Sequence, residues 1–274
     1  MWSQHGWAST ANTERHNAFL GGCIDFAGSG VVHITGGVCA FWGSLVIGPR
    51  RGRFDSENRP VPLPGHSSVL QVLGTLILWL GWYGFNPGST LGVSGTLAKT
   101  VARACVCTTL SAAGGGISVI LLDKFMGSKV WEVTSCCNGV LAGLVSITAG
   151  CATMTTHSAF CTGLLGGLVY FGVSKLLLHK LKIDDALDAF PVHGACGLFG
   201  MIINGFLADD TYTRHYYNWC PVGGACPEWD GSYAGVFYGG NKECFILFAL
   251  AFPCFTIAHA PRIWSPRLIA QSHH

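Results

Sequence analysis

The stretch DFAGSGVVHITGGVCAFWG, residues 25–43, decides how the chain folds. Its Gly, Ala and Val content is that of a membrane-spanning helix, yet Asp25 stands at its start and His33 near its middle. A lone His on a soluble helix is usually a satisfied core residue. Within a membrane span, ionisable groups instead line pathways or pair with one another. The question posed by His33 is therefore where its partner lies.

The segment DAFPVHGACGLFG, residues 188–200, supplies one in His193. Both stretches read Asp, a spacer, Val-His, small residues, then an aromatic and Gly. Two related helices that run in opposite directions mark an inverted-topology repeat, whose pseudo-two-fold axis lies at the membrane midplane. That symmetry predicts His33 beside His193 near the bilayer centre. Asp25 lies eight residues before His33, about 12 Å of helix rise, too far to bond that imidazole. Asp185 and Asp188 are expected in the corresponding first turn of the second helix. Two roles are open to these carboxylates: capping free N–H groups at the positive end of the macrodipole, or a negative potential that favours a cation at each mouth.

Composition agrees with a polytopic membrane protein. Half of the 274 residues are hydrophobic and only 11% are charged, against about 25% in soluble domains. The 38 glycines suit helices packed closely in lipid. A net charge of +2 argues against a nucleic-acid partner. Most of the 13 cysteines, Cys39, Cys105, Cys107, Cys151, Cys161 and Cys196 among them, fall in apolar segments as small packing residues. Cys105-x-Cys107 and Cys136-Cys137 lack partners at zinc spacing, so no metal site is expected. Cys220 and Cys226 share a polar loop and can pair if that loop is extracellular.

Seven apolar segments come near the ~20 residues needed to cross a bilayer, at 24–47, 67–86, 100–122, 135–151, 157–176, 187–207 and 243–260. With the N-terminus outside, the inner regions hold Arg50, Arg51, Arg53, Arg59, Lys124, Lys129, Lys175, Lys180, Lys182, Arg262 and Arg267. The outer regions hold Arg15, Lys99, Arg103, Arg214 and Lys242, a ratio of 11 to 5. The positive-inside rule then places residues 1–23 and the loop 208–242 outside and the C-terminus in the cytoplasm. Residues 1–20 contain no apolar core of a cleavable signal, and an odd number of spans with an uncleaved outer start is the pattern of a chain cut from a longer one. The segment GTLILWLGWYGFNPGS, residues 74–89, ends in a helix stop and turn at Asn86-Pro87-Gly88. Its Trp79, Trp82, Tyr83 and Phe85 fit an interfacial aromatic belt equally well.

The motifs DFAGSGVVHITGG, GPRRGRFD, GHSSVLQVLGTLILWLGWYGFNPGS, CNGVLAGLVSITAGC and DDALDAFPVHGACG occur in order up to about residue 207. In this the chain resembles the ammonium transporter family, especially its plant and algal type. The resemblance implies an all-α, eleven-helix inverted-repeat membrane fold of which about seven helices are present, residues 1–274 forming a partial ammonium transporter domain without the first four helices. It implies that His33 and His193 are the twin pore histidines, that Trp82 and Leu78 line the pore, and that Phe85 is one of two gate phenylalanines. Trp2 and Ser89 match the external ammonium recruitment site, with Asp25 nearby, and Asp185 and Asp188 match acids on the cytoplasmic side.

A transporter or channel for ammonium and ammonia follows, rather than an enzyme, with no cofactor. The implied setting is a homotrimer in the lipid bilayer, most simply the plasma membrane. The missing helices would take with them the second gate phenylalanine and much of the pore wall, so a free-standing chain is expected not to form a sealed pore. An ammonium sensor or non-conducting truncated relative is an alternative, as is a Rhesus-type ammonia channel, although GFNPGS and GPRRGRFD favour the first branch. A haem protein with His33 and His193 as axial ligands lacks the His repeats within one helix that multi-haem proteins carry.

Overall fold

In a computed structural model, residues 23–95 and 97–216, together with Val236, are described. The predicted outer link before residue 23, most of the predicted outer loop and the predicted segment 243–260 lie outside them. The described residues form helices joined by connections of varied length, with an isolated bridge between Phe54 and Pro60.

Helix α1 (Ser29–Ile47) starts later than its apolar run at residue 24. Gly28 takes the left-handed conformation with φ of 101°, which glycine adopts without a Cβ penalty. The next residues, Ser29–Ile34, form a wide π-helical turn before regular α-helix over Thr35–Ile47. Helix α2 (Ser68–Phe85) is capped by Ser67, whose hydroxyl accepts the Leu70 N–H at 3.3 Å. It stops at Asn86-Pro87, and Pro87–Thr90 closes as a 3₁₀ turn. Helix α3 (Leu97–Met126) has 30 residues, about 45 Å of rise.

Helix α4 (Val133–Ile147) has only 15 residues; its predicted extension through 151 instead forms turns at Thr148–Cys151. Helix α5 (Thr156–Leu181) is capped by Thr155 on Ser158 N–H at 3.2 Å and runs five residues beyond its predicted end. Helix α6 (Phe190–Leu207) opens, like α1, with a π-helical turn, Phe190–Ala195. A short α7 (Asp210–Tyr216) follows. Helices α1, α2, α3, α5 and α6 are long and apolar enough to cross a membrane.

The centre is a tight bundle of α3, α4 and α5, with α6 and α1 packed against α4. Small residues make this approach possible. A Cβ added to Gly139 would come within 2.7 Å of the Val119 side chain and within 2.5 Å of the Gly115 carbonyl. Ser111 Oγ donates to the Gly143 carbonyl at 2.8 Å across the same seam. Interhelical approach through glycine, closed by hydroxyl-to-carbonyl bonds, suits a bilayer, where lipid tails remove the hydrophobic drive between helices. Helix α2 buries little and presents Val69, Leu70, Ile77 and Leu80 outward.

Two connections lie at one end of the bundle, 48–67 after α1 and 182–189 before α6. They are locked by Asp184, whose side chain is 1% exposed. Its carboxylate accepts the Arg50 backbone N–H at 2.9 Å and the Arg50 guanidinium at two positions, both 2.8 Å. Arg53 Nε lies 3.1 Å away. This bidentate arrangement holds the Asp184 carboxyl below the usual carboxylate range, chiefly through the Arg50 bonds.

Because the folded carboxyl is depressed, its stabilisation is present above the unfolded value near 4. It is lost as pH falls through the folded value. Asp184→Asn should cost about 2 kcal/mol at neutral pH, less than a fully buried pair because Arg50 is partly exposed. Thermal unfolding in detergent checks this: the wild type should lose stability below about pH 4, while the variant loses less over the same range.

Candidate functional site

The two π-helical turns place the histidines. His33 lies in the turn that opens α1, and His193 in the turn that opens α6. Their Nδ1 atoms are 3.2 Å apart, a hydrogen bond across a sequence separation of 160 residues, and the rings stack with centroids 5.2 Å apart. His33 is 6% exposed and its Nε2 is buried with no hydrogen-bond partner. An Nδ1-to-Nδ1 bond requires one proton between the two atoms. If His33 donates at Nδ1, its Nε2 is a bare acceptor and His193 Nε2 carries the other proton; the reverse tautomer exchanges these ends. The pair therefore presents a donor at one side and an acceptor at the other. It also leaves no room for a porphyrin between the rings, which removes the haem reading.

Trp82 stacks on His33 at 5.4 Å with an interplanar angle of 8°, and Phe85 lies 5.5 Å from the same ring. Trp82 is fixed in turn by its indole N–H, which donates to Thr148 Oγ1 at 3.4 Å. Leu78 sits one turn before Trp82 on α2 and remains 48% exposed. Ser89 Oγ donates to the Phe85 carbonyl at 2.7 Å, closing the end of α2. Trp2, Cys220 and Cys226 lie outside the described residues. Among the described residues, Cys39, Cys105, Cys107, Cys136, Cys137, Cys151, Cys161 and Cys196 carry free thiols, and no three His, Cys, Asp or Glu side chains group as a metal site.

The repeat seen in the sequence extends into the backbone. Adding the 160-residue separation of the histidines to Asp25 gives Asp185, and to Gly28 gives Asp188. Asp25 Oδ2 accepts the N–H groups of Gly30 and Val31, both at 3.0 Å. Asp185 Oδ2 accepts the Phe190 N–H at 2.7 Å; the residue matching Val31 is Pro191, which has no N–H to give. Gly28 and Asp188 both have positive φ, 101° and 53°. The Asp188 carboxylate does not join the start of α6. It turns to α5, where it accepts from Tyr170 Oη at 2.7 Å and from Ser174 Oγ at 3.0 Å.

Contacts between α1 and α6 obey the same symmetry. A Cβ on Gly37 would collide with the Gly194 backbone, and a Cβ on Gly197 would lie 3.2 Å from both His33 Cβ and Ile34 N. These glycines, rather than any polar residue, set the distance between the helices that carry the imidazoles.

Among the described residues, two antiparallel apolar helices, α1 and α6, thus meet at a histidine pair as the two copies of an inverted repeat do. The chain belongs to the Ammonium Transporter Family, whose model matches residues 1–260. It is 42% identical over 251 residues to ammonium transporter 1 member 1 of Arabidopsis thaliana, covering 89% of this chain and 48% of that protein. Among solved structures, that of Candida albicans Mep2 is similar with a TM-score of 0.72 and 29% identity, over 96% of this chain and 55% of that one. A structure described as a sensor Amt protein gives a TM-score of 0.74 and 29% identity, over 91% and 56%. The chain thus spans about half the length of the relatives it matches.

Gly36 and Gly37 provide a matched test of the helix approach. Gly37→Ala must push α1 from α6 and should cost about 2 kcal/mol, a drop of roughly 4–8 °C in apparent Tm. Gly36→Ala meets nothing within 4 Å and should leave Tm unchanged. Thermal unfolding of the two variants in the same detergent checks the difference.

Proposed function

We propose that this chain contributes the histidine-bearing part of a pathway for ammonium. The observation that carries the reading is the His33–His193 hydrogen bond, in an apolar setting walled by Trp82 and Phe85. Potassium and ammonium are similar in size, so a pore of fixed width does not separate them. Ammonium differs in having N–H donors and a proton that it can lose.

Stripping an ion of water for passage through an apolar pore is opposed by a Born penalty of about 20 kcal/mol in the idealised limit. Ammonia carries no charge and avoids most of that cost; potassium has no neutral form. The histidine pair offers one acceptor and one donor, which match the hydrogens and the lone pair of ammonia. The same chain of two imidazoles can relay a separated proton: one outer Nε2 takes it up, the proton between the Nδ1 atoms shifts, and the other Nε2 gives up its own.

Outside, Trp2 and Ser89 would recruit the cation by cation–π and hydrogen-bond contact, with Asp25 adding negative potential. Phe85 would close the outer mouth, Trp82 and Leu78 would line the path, and Asp185 and Asp188 would mark the inner end. The assembly would be a homotrimer in the plasma membrane, with the Arg50 end of the bundle in the cytoplasm, and Cys220 and Cys226 could pair if their loop is extracellular. The alternative of an ammonium sensor has support in the likeness to the sensor Amt protein. Uptake separates the two, because a sensor that does not conduct binds the cation without accumulating it.

Labelled methylammonium uptake by cells that lack their own ammonium uptake tests this reading. In a full-length version that supplies the first four helices, the protein with both histidines should accumulate label and exclude potassium, and His193→Ala should abolish that selective uptake. Selective uptake unchanged in His193→Ala would contradict the role of the pair.

A further inference from the structure

The connection that follows α1 carries more charge than its tie to Asp184 requires. Its sequence Arg51-Gly52-Arg53-Phe54-Asp55-Ser56 sets two arginines five and three residues before a serine. Arg51 and Ser56 are exposed, and Ser56 stands at the tip of a tight turn. The Asn58 N–H closes that turn by donating to the Asp55 carbonyl at 3.0 Å, with Asn58 at a φ of 58°. An exposed loop tip is open to enzymes that act on the chain. A serine hydroxyl preceded by guanidinium groups is what a protein kinase with an acid-lined substrate groove selects by charge pattern.

The ties around Ser56 determine what a phosphate there would do. Asp55 Oδ1 accepts the N–H groups of Glu57 at 2.9 Å and of Arg59 at 2.8 Å. The Arg59 guanidinium reaches Asp55 Oδ2 and Glu57 Oε2, both at 2.8 Å. The two carboxylates that flank Ser56 thus share one exposed cation. Below the tip, the Asp55 N–H donates to the Arg59 carbonyl at 3.0 Å and the Val61 N–H to the Arg53 carbonyl at 2.8 Å. These bonds hold Arg53 where its Nε lies 3.1 Å from Asp184. The same segment, through Arg53, Pro60, Val61 and Pro62, walls a cavity of about 600 Å³ that Tyr170 and Asp188 also line.

We propose that Ser56 is a modification site, phosphorylated by a kinase that reads Arg51 and Arg53. The donor is a nucleoside triphosphate. The Ser56 Oγ–P bond forms, the bond from the γ-phosphorus to the diphosphate leaving group breaks, and the hydroxyl proton passes to a base of the kinase. The product carries about two negative charges on strong acceptor oxygens. Between Asp55 and Glu57 it repels both carboxylates and takes Arg59 as its own bidentate partner. The turn then loses its Asp55–Arg59 tie, the segment 53–61 loosens, and Arg53 leaves Asp184. Phosphorylation is thus a switch on one wall of the cavity at the Arg50 end. The converse also holds: Arg53 bound to Asp184 is withheld from the kinase, so the loop lock sets the rate of modification. The proposal rests on the reading that puts the Arg50 end in the cytoplasm, where nucleoside triphosphate is available.

Phosphorylation of the purified, folded chain in detergent tests the site, with labelled ATP and a serine kinase that prefers arginines before its target. Mass spectrometry should place a phosphate on Ser56, and Ser56→Ala should take up none in this loop. Arg51→Gln should slow incorporation about tenfold, the loss of one charged contact with the kinase. Asp184→Asn, which releases Arg53, should speed it several-fold; the exposed Arg51 variant carries the test if the Asp184 variant fails to fold. After phosphorylation, the amides of Asp55, Arg59 and Val61 should exchange with deuterium about tenfold faster, as expected for the loss of a hydrogen bond. A Ser56 left unmodified in the folded chain, an Arg51→Gln rate equal to that of wild type, or unchanged exchange at those amides would overturn the proposal. Sealed vesicles separate it from the reading beneath it. Incorporation from the cytoplasmic face supports both, and incorporation only from the outer face removes the orientation. Methylammonium uptake by a full-length version without incorporation at Ser56 removes this site alone.

Discussion

The hydrogen bond between His33 Nδ1 and His193 Nδ1 is the contact on which the arrangement turns, because it joins two helices that enter the bundle from opposite ends. An imidazole buried in an apolar helix is costly when its polar atoms are unpaired. Pairing two imidazoles satisfies one nitrogen of each and leaves one acceptor and one donor for a small polar guest. Everything nearby serves the registration of those rings: the π-helical turns rotate them inward, Trp82 stacks on one of them, and Gly37 and Gly197 let the backbones approach.

The carboxylates divide the remaining work by their surroundings. Asp25 and Asp185 accept backbone N–H groups where their helices begin, which supports the turns that carry the histidines. Asp184 ties the two loops at the Arg50 end through Arg50 and Arg53. Asp188 does neither, and its bonds to Tyr170 and Ser174 leave it facing a cavity. Three acids within five residues thus have three distinct partners, which residue type alone does not distinguish.

Much of this was legible in the linear chain, and the reason is physical. His33 and Asp25 stand out because a membrane span tolerates few ionisable groups, and the second copy of the motif pointed to His193 by symmetry. Capping was one of the two roles left open for Asp25 by its place before an apolar run. Other features had no local signature. Tyr170 lies in GLLGGLVYFGVSK, an ordinary apolar span, and only the fold of α5 against α6 brings its hydroxyl to Asp188. The π-helical turns were hidden because apolar content is the same in α- and π-helix. The early end of α4 and the placement of Asp188 away from the helix start depend on neighbours distant in sequence, which periodicity does not report.

The state of the imidazole pair tests the account most directly. Nitrogen-15 magic-angle-spinning NMR of the histidine-labelled chain in lipid reads the protonation of each ring nitrogen and the coupling between hydrogen-bonded ones. The account predicts one protonated and one bare Nδ1, coupled to each other, with the coupling lost in His193→Ala. Two uncoupled Nδ1 atoms, or two that are both protonated, would contradict it.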